Sequence, residues 1–162
     1  MVRNSGKKTT KIIGIISDTH GLVRPEALRA LKGADLLIHA GDTGSPEVIK
    51  SLRSVASVVA VRGNIDTGEW ACDFPETEVV EFEGVLIYVL HDVMNLDLDP
   101  GKVDFCAVIS GHSHRPSKTR RNGVLFLNPG SAGPRRFKLP VSIALLRVEG
   151  ASVDAKVIEL SV

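Results

Sequence analysis

Apolar runs rich in branched residues recur along the chain, and each breaks off into polar residues of a restricted kind. Ile12-Ile13-Gly14-Ile15-Ile16 is the first, a short continuous run that predicts a buried strand. It gives way to Ser17-Asp18-Thr19-His20-Gly21. Pro25 to Lys32 then reads as a short amphipathic helix, with Pro at its start and Gly33 as its stop. Ala34 to His39 predicts a second buried strand ending in Gly41-Asp42, Thr43 to Arg53 a second helix, and Val55 to Val61 a third strand ending in Gly63-Asn64. Strand, helix and strand in alternation imply parallel pairing with right-handed crossovers.

The second half changes rhythm. Thr77 to Glu83 alternates Val79, Val80 and Phe82 with Glu78, Glu81 and Glu83, as a half-exposed strand would. Gly84 turns the chain into Val85 to Leu90, which runs into His91-Asp92, and Leu96 to Lys102 reads as a loop with a Pro100-Gly101 turn. Asp104 to Ser110 is apolar again and ends in Gly111-His112-Ser113-His114. Lys118 to Arg121, Gly123 to Leu127 and Val141 to Leu160 predict hairpin strands, joined at Asn122-Gly123 and Gly150.

Five apolar strands therefore finish in side chains able to hold a metal: Asp18 and His20, Asp42, Asn64, His91, and His112 with His114. Four of the five histidines sit at such ends. Asp18 and His20 are two apart, so an extended chain presents both on one face. Any single pair reads equally well as a capped turn. The set together reads as a metal site at the carboxyl ends of strands.

Composition bounds the picture without directing it. A chain of 162 residues, 43% hydrophobic and 24% charged, suits one globular domain. A net charge of +1 gives no argument for nucleic-acid or membrane-surface binding. Cys72 and Cys106 lie far apart and read as reduced thiols of a cytoplasmic protein. No apolar run approaches the ~18 residues needed to span a bilayer. Residues 1–10 are basic and polar without an apolar signal core, and are expected to form a flexible tail before a single domain of residues 11–162. Glutamine is absent, which leans weakly toward a thermophilic source.

The ordered motifs Asp18-x-His20, Gly41-Asp42, Gly63-Asn64-x-Asp66, His91 and Gly111-His112-x-His114 resemble the calcineurin-like metallophosphoesterases, and most of all their small bacterial and archaeal YfcE-like phosphodiesterase branch. Asn128-Pro129-Gly130-Ser131, followed by Pro134-Arg135, extends the likeness over about Lys11 to Glu159. The resemblance implies an α/β fold, a four-layer α/β/β/α sandwich of two mixed sheets with helices outside. It implies one metal on Asp18, His20, Asp42 and His114, and another on Asp42, Asn64, His91 and His112, with Asp42 bridging. Asp42, Asn64 and His112 would serve catalysis through a bridging hydroxide and the positioning of phosphate. It also implies a small phosphate-ester substrate and a dimer or larger homo-oligomer.

Two divalent ions ~3.5–4 Å apart lower the pKa of a shared water and aim it at phosphorus. Imidazole, carboxylate and amide oxygen together suit manganese, placed first, and iron, nickel, cobalt or zinc, better than magnesium or calcium. In many relatives a histidine after the metal-binding asparagine protonates the leaving group, and here that position is Ile65, which carries no proton. Asp92 stands where the branch commonly has glycine. The segment from His91 to Asp104 is short for a helical cap, which predicts an open site.

His39 is expected to be a satisfied structural residue or to support a ligand, and Asp66 to orient the Asn64 loop through hydrogen bonds. Arg135, Arg136 and Lys138 read as a phosphate-attracting loop or a solvated one. Trp70 and Phe74 fit a substrate platform, a lid or an oligomer contact. The alternative in function is a non-catalytic, protein-binding scaffold of the same fold. A β-lactamase-type metallohydrolase is excluded because the only His-x-His comes late and lacks a following Asp-His.

Overall fold

The structure is a computed structural model that describes residues 10–162. The proposed tail, residues 1–10, thus lies almost wholly outside the described residues. Ten strands form two five-stranded mixed sheets. Sheet I has the order β10-β9-β1-β2-β3, with β1 (Lys11–Ile16), β2 (Leu36–His39), β3 (Val58–Ala60), β9 (Ser142–Glu149) and β10 (Ser152–Glu159). β1, β2 and β3 pair in parallel, and the β9–β10 hairpin closes the sheet antiparallel to β1.

Sheet II has the order β4-β5-β6-β8-β7, with β4 (Thr77–Phe82), β5 (Val85–Leu90), β6 (Phe105–Ile109), β7 (Ser117–Arg121) and β8 (Val124–Asn128). Here β5, β6 and β8 are parallel while β4 and β7 pair antiparallel at the two edges. In β4 Val80 and Phe82 turn inward and Glu81 outward, as an edge strand with one wet face requires, whereas Val79, grouped with them in the predicted alternation, lies on the wet face and is 49% exposed.

The sheets pack face to face through Ile13, Ile15 and Ile38 of one and Ile87, Ile109 and Leu125 of the other, all fully buried. Each such side chain contributes about 1.5–3 kcal/mol by leaving water. Outside sheet I lie α1 (Pro25–Leu31) and α2 (Pro46–Arg53), whose Leu31 and Leu52 cover Ile16, Leu37 and Ile143. Outside sheet II the cover is thinner. Leu96 and Leu98, beside the short 3-10 turns Val93–Asn95 and Pro100–Val103, pack over Tyr88, Leu90 and Phe105. The expected four layers are present, the fourth built from turns where the sequence reads as loop.

The parallel strands β1, β2, β3, β5 and β6 all point their carboxyl ends to one edge of the sandwich. There the ladder outlasts the strands: Asp18 N–H donates to Gly41 O at 3.0 Å and His20 N–H to Asp42 O at 3.0 Å. Gly111 N–H donates to His91 O at 2.9 Å and so fastens the two loops of sheet II.

Candidate metal centre

Five of the seven expected ligands hold a left-handed backbone: Asp18, His20, Asp42, His112 and His114 have φ of 54°, 47°, 55°, 70° and 62°. Non-glycine residues adopt this region at a cost, and outliers of this kind gather at functional sites. The surrounding bonds hold them there. Ser17 Oγ donates to Asp18 Oδ2 at 2.7 Å, and His112 N–H reaches the same oxygen at 3.0 Å from across the sandwich. Asp18 Oδ1 is left free. It stands 3.3 Å from His114 Nε2 and 3.9 Å from His91 Nε2.

Asp42 divides its oxygens in the same way. Oδ1 accepts from Ile65 N–H at 3.1 Å, and Oδ2 lies 3.3 Å from His91 Nε2 and 3.8 Å from His20 Nε2. His91 Nδ1 meets Ala40 O at 2.7 Å, so Nδ1 carries the proton and Nε2 presents a lone pair to the carboxylates.

Two clusters result, each with ligand atoms within 4.8 Å of one another: Asp18, His20 and His114, and Asp18, Asp42 and His91. Asp18 is common to both. Asn64 and His112 lie on the exposed rim. The His112 ring is centred 5.2 Å from that of His91, and its Nε2 is 3.7 Å from Asp92 Oδ2.

Charge at the centre follows from burial and pairing. Burial pushes the Asp18 carboxyl above its ordinary value despite its Ser17 bond and the nearby His91 and His114. Burial opposes the Asp42 charge too, but the facing His91 and the Ile65 hydrogen bond outweigh it and hold the carboxyl at about 2. Burial opposes the His91 charge, but the facing Asp42 carboxylate and the bond to Ala40 overcome it and raise its pKa. His114 is lowered by burial, with Asp18 opposing and Arg136 adding to the shift.

Among the described residues, Asp18 Oδ1, His20 Nε2, His91 Nε2 and His114 Nδ1 are buried without a hydrogen-bond partner. Buried polar atoms left unpaired cost about 1–3 kcal/mol each. Cations seated against Asp18 Oδ1, His20 Nε2 and His91 Nε2 remove that cost for those three atoms, and a set of imidazoles and carboxylates fits a divalent transition metal. The residues present fit the group.

Neighbouring residues set the loops. His39 is fully buried; its Nδ1 accepts from Gly41 N–H at 3.1 Å, and its Nε2 meets Thr19 Oγ1 at 2.9 Å. Thr19 in turn donates to Thr43 O at 2.9 Å, so one neutral imidazole ties the Asp18–His20 loop to the Asp42 loop. Burial lowers its pKa to about 4. Asp66 accepts from Thr43, Gly44 and Gly63 N–H at 3.2, 2.9 and 2.9 Å and joins the Asp42 loop to the Asn64 loop. Both residues act as expected.

The sequence reading assigned no role to Ser17 or Asn128. Asn128 Nδ2 donates to Gly111 O at 2.8 Å and pins the loop that carries His112 and His114. Its place in the Asn-Pro-Gly-Ser segment was the available signal. Ser131 Oγ donates to Asp18 O at 2.9 Å. Trp70 and Phe74 stack edge to face 6.2 Å apart and line a separate cavity of about 240 Å³ with Ile49 and Arg53, apart from the centre. Asp92 caps the turn after it, accepting from Met94 N–H at 3.0 Å.

A family model described as the calcineurin-like phosphoesterase superfamily domain matches residues 12–151. A probable metallophosphoesterase of Methanocaldococcus jannaschii is 36% identical over 164 residues, covering 93% of this chain and 82% of that one. A structure described as that of a novel archaeal phosphodiesterase aligns with TM-score 0.75 and 26% identity, over 91% of this chain and 99% of the other. Vps29 of Entamoeba histolytica, solved with Zn²⁺, aligns with TM-score 0.71 and 23% identity, over 91% of this chain and 98% of its own. That last likeness is one of fold.

Proposed function

The chain belongs to the calcineurin-like phosphoesterase superfamily, and on that premise we propose that it is a dinuclear metal-dependent phosphodiesterase. The observation that carries the reading is the pair of free carboxylate oxygens, Asp18 Oδ1 and Asp42 Oδ2, each within 3.9 Å of two imidazole nitrogens. Asp18, His20 and His114 would hold one ion, and Asp42, His91, Asn64 and His112 the other. Asp42, whose Oδ1 is engaged by Ile65 N–H and whose Oδ2 faces His91 and His20, would be shared between the two ions. Two bound divalent ions, manganese first among them, supply a nucleophile at neutral pH and Lewis acidity toward the phosphoryl oxygens.

The chain's own groups do the rest. Asn64 reaches the substrate side of the rim, where its amide N–H donates to a phosphate oxygen. His112, also on the rim, does the same from sheet II. Ile65 offers no proton to the leaving oxygen, which favours acidic leaving groups. The rim is open, so water is not excluded from the second alcohol.

The likeness to Vps29 keeps a second reading in view, a protein-binding scaffold of the same fold. The donor set, intact at all seven positions, favours the enzyme. Elemental analysis and turnover of bis(nitrophenyl) phosphate, before and after chelation and re-addition of manganese, test it. Two ions per chain and metal-dependent turnover are expected. A chain that binds two ions and hydrolyses neither diesters nor monoesters would favour the scaffold.

A further inference from the structure

A groove of about 810 Å³ opens beside His91 and Asn64 and is lined by the segment after β3 and by Tyr88 and Leu90 from the outer face of sheet II. It is continuous with the centre through His91, which is 5% exposed and whose Nε2 has no hydrogen-bond partner among the described residues. Its free charge is one-sided. Three carboxylates, Glu76, Asp92 and Asp97, stand against Arg62; Glu76 pairs with it at 3.3 Å, Asp92 Oδ1 accepts from Met94 N–H with its Oδ2 3.7 Å from His112 Nε2, and Asp97 has no such partner among the described residues. Asp66, also in the lining, spends both oxygens on backbone N–H groups. Thr67 and Asn95 add uncharged polar groups. Cations lie on the other side of the centre, where Arg136 is near enough to His114 to depress its pKa.

We propose that the groove receives one alcohol arm of the diester and that this arm is a hydrogen-bond donor, a polyol or an amino alcohol bearing no further phosphate. The proposal rests on the phosphodiesterase reading above. Carboxylates are acceptors only, so hydroxyl or ammonium groups satisfy them and a second phosphate meets like charge. An alkyl arm finds little apolar surface, since Tyr88, Leu90 and Ala71 are themselves largely buried. Each exposed like-charge contact is worth about a few-fold in affinity, so Asp92 and Asp97 together reach roughly tenfold.

The test is a series of nitrophenyl phosphodiesters whose second alcohol is ethanol, glycerol, ethanolamine or glycerol phosphate, turned over by the manganese-loaded protein. The glyceryl and aminoethyl arms should show KM values about tenfold below the glycerol-phosphate arm, with the gap widening at low salt. The ethyl arm should fall between. Equal KM for glyceryl and aminoethyl identifies hydrogen bonding as the source of preference, and a lower KM for aminoethyl identifies charge. Equal KM across all four arms, or tightest binding of the phosphate-bearing arm, overturns the groove assignment and leaves the hydrolase intact. Turnover of none overturns both. In Glu76→Lys/Asp97→Lys the order of the aminoethyl and glycerol-phosphate arms should invert; an unchanged order overturns the assignment independently.

Discussion

His91 Nε2 stands 3.3 Å from Asp42 Oδ2, with its Nδ1 proton committed to Ala40 O at 2.7 Å. The backbone of β2's exit thereby fixes the tautomer of a histidine at the end of β5, and the lone pair is aimed before any ion arrives. Asp42→Ala removes the partner that this geometry serves. Near-total loss of activity and of both ions is expected, and a full complement of two metals by elemental analysis would sink the bridging assignment. His114→Ala should weaken one ion preferentially.

The glycine at 111 is required by contact. A Cβ there would press on Ser17 Oγ and on Asp18 Oδ2. Gly111→Ala should therefore displace the Asp18 carboxylate, cost about 1–3 kcal/mol of stability by overpacking, and lower metal affinity. Calorimetric melting and metal titration read the two effects separately. Unchanged metal affinity would show that the loop yields without moving Asp18.

Asp66→Asn keeps the shape of the side chain but replaces one acceptor oxygen by an amide donor that faces backbone N–H. Each buried N–H left unpaired costs about 1–3 kcal/mol, so Tm should fall by several degrees. Metal affinity should weaken by about 10–100-fold, the usual effect of losing a residue that orients ligands. An unaltered affinity would mean that the Asp42 and Asn64 loops hold their places without it.

These supports explain what the sequence could and could not convey. The strands, and the gathering of Asp18, His20, Asp42, His91 and His114 at their ends, were legible because each apolar run ends abruptly in Asp, Asn or His, and that is a local pattern. The sharing of Asp18 between two clusters was not. It depends on His112 N–H reaching Asp18 Oδ2 across 94 residues of chain, a contact that no local pattern encodes. The positive φ of Asp18 and His20 was hidden for the same reason, since an extended chain would have carried both ligands past the centre. Pro25 announced α1 as expected, whereas the turns over Tyr88 read as plain loop because they are too short to show a period.

His39 makes stability depend on pH. Its folded pKa of about 4 lies below the unfolded value near 6.5, so the unfolded chain takes up the proton first. The stability that neutral His39 supplies is complete above pH ~6.5 and lost as pH falls toward 4, roughly 3 kcal/mol in all. His91, whose pKa is raised, has the opposite sign, so the difference between natural protein and His39→Asn isolates the effect. Denaturant melts from pH 7 to 4 should converge for the two proteins as pH falls. Parallel curves would show that His39 is not the group responsible.

Ile65 sets the last expectation. Its N–H holds Asp42 Oδ1 at 3.1 Å, while its side chain is 45% exposed at the rim. The backbone of this position thus serves the centre and the side chain brings no proton to it. A poor leaving group such as an alkoxide must then depart nearly unprotonated, whereas a nitrophenolate needs no help. General acid catalysis is worth about 10²–10⁴ in rate, so its absence should show as a steep dependence of kcat/KM on leaving-group pKa. Activated aryl diesters should turn over well and alkyl diesters slowly. Ile65→His keeps the backbone N–H and puts an imidazole on the exposed rim, and it should flatten the dependence by speeding the alkyl members. The measurement is a series of diesters spanning leaving-group pKa, run on both proteins at one metal loading. A flat series in the natural protein would mean that another group already delivers the proton, with His20 and Asp92 the first to replace. A steep series that Ile65→His leaves unchanged would place the leaving oxygen out of reach of this position.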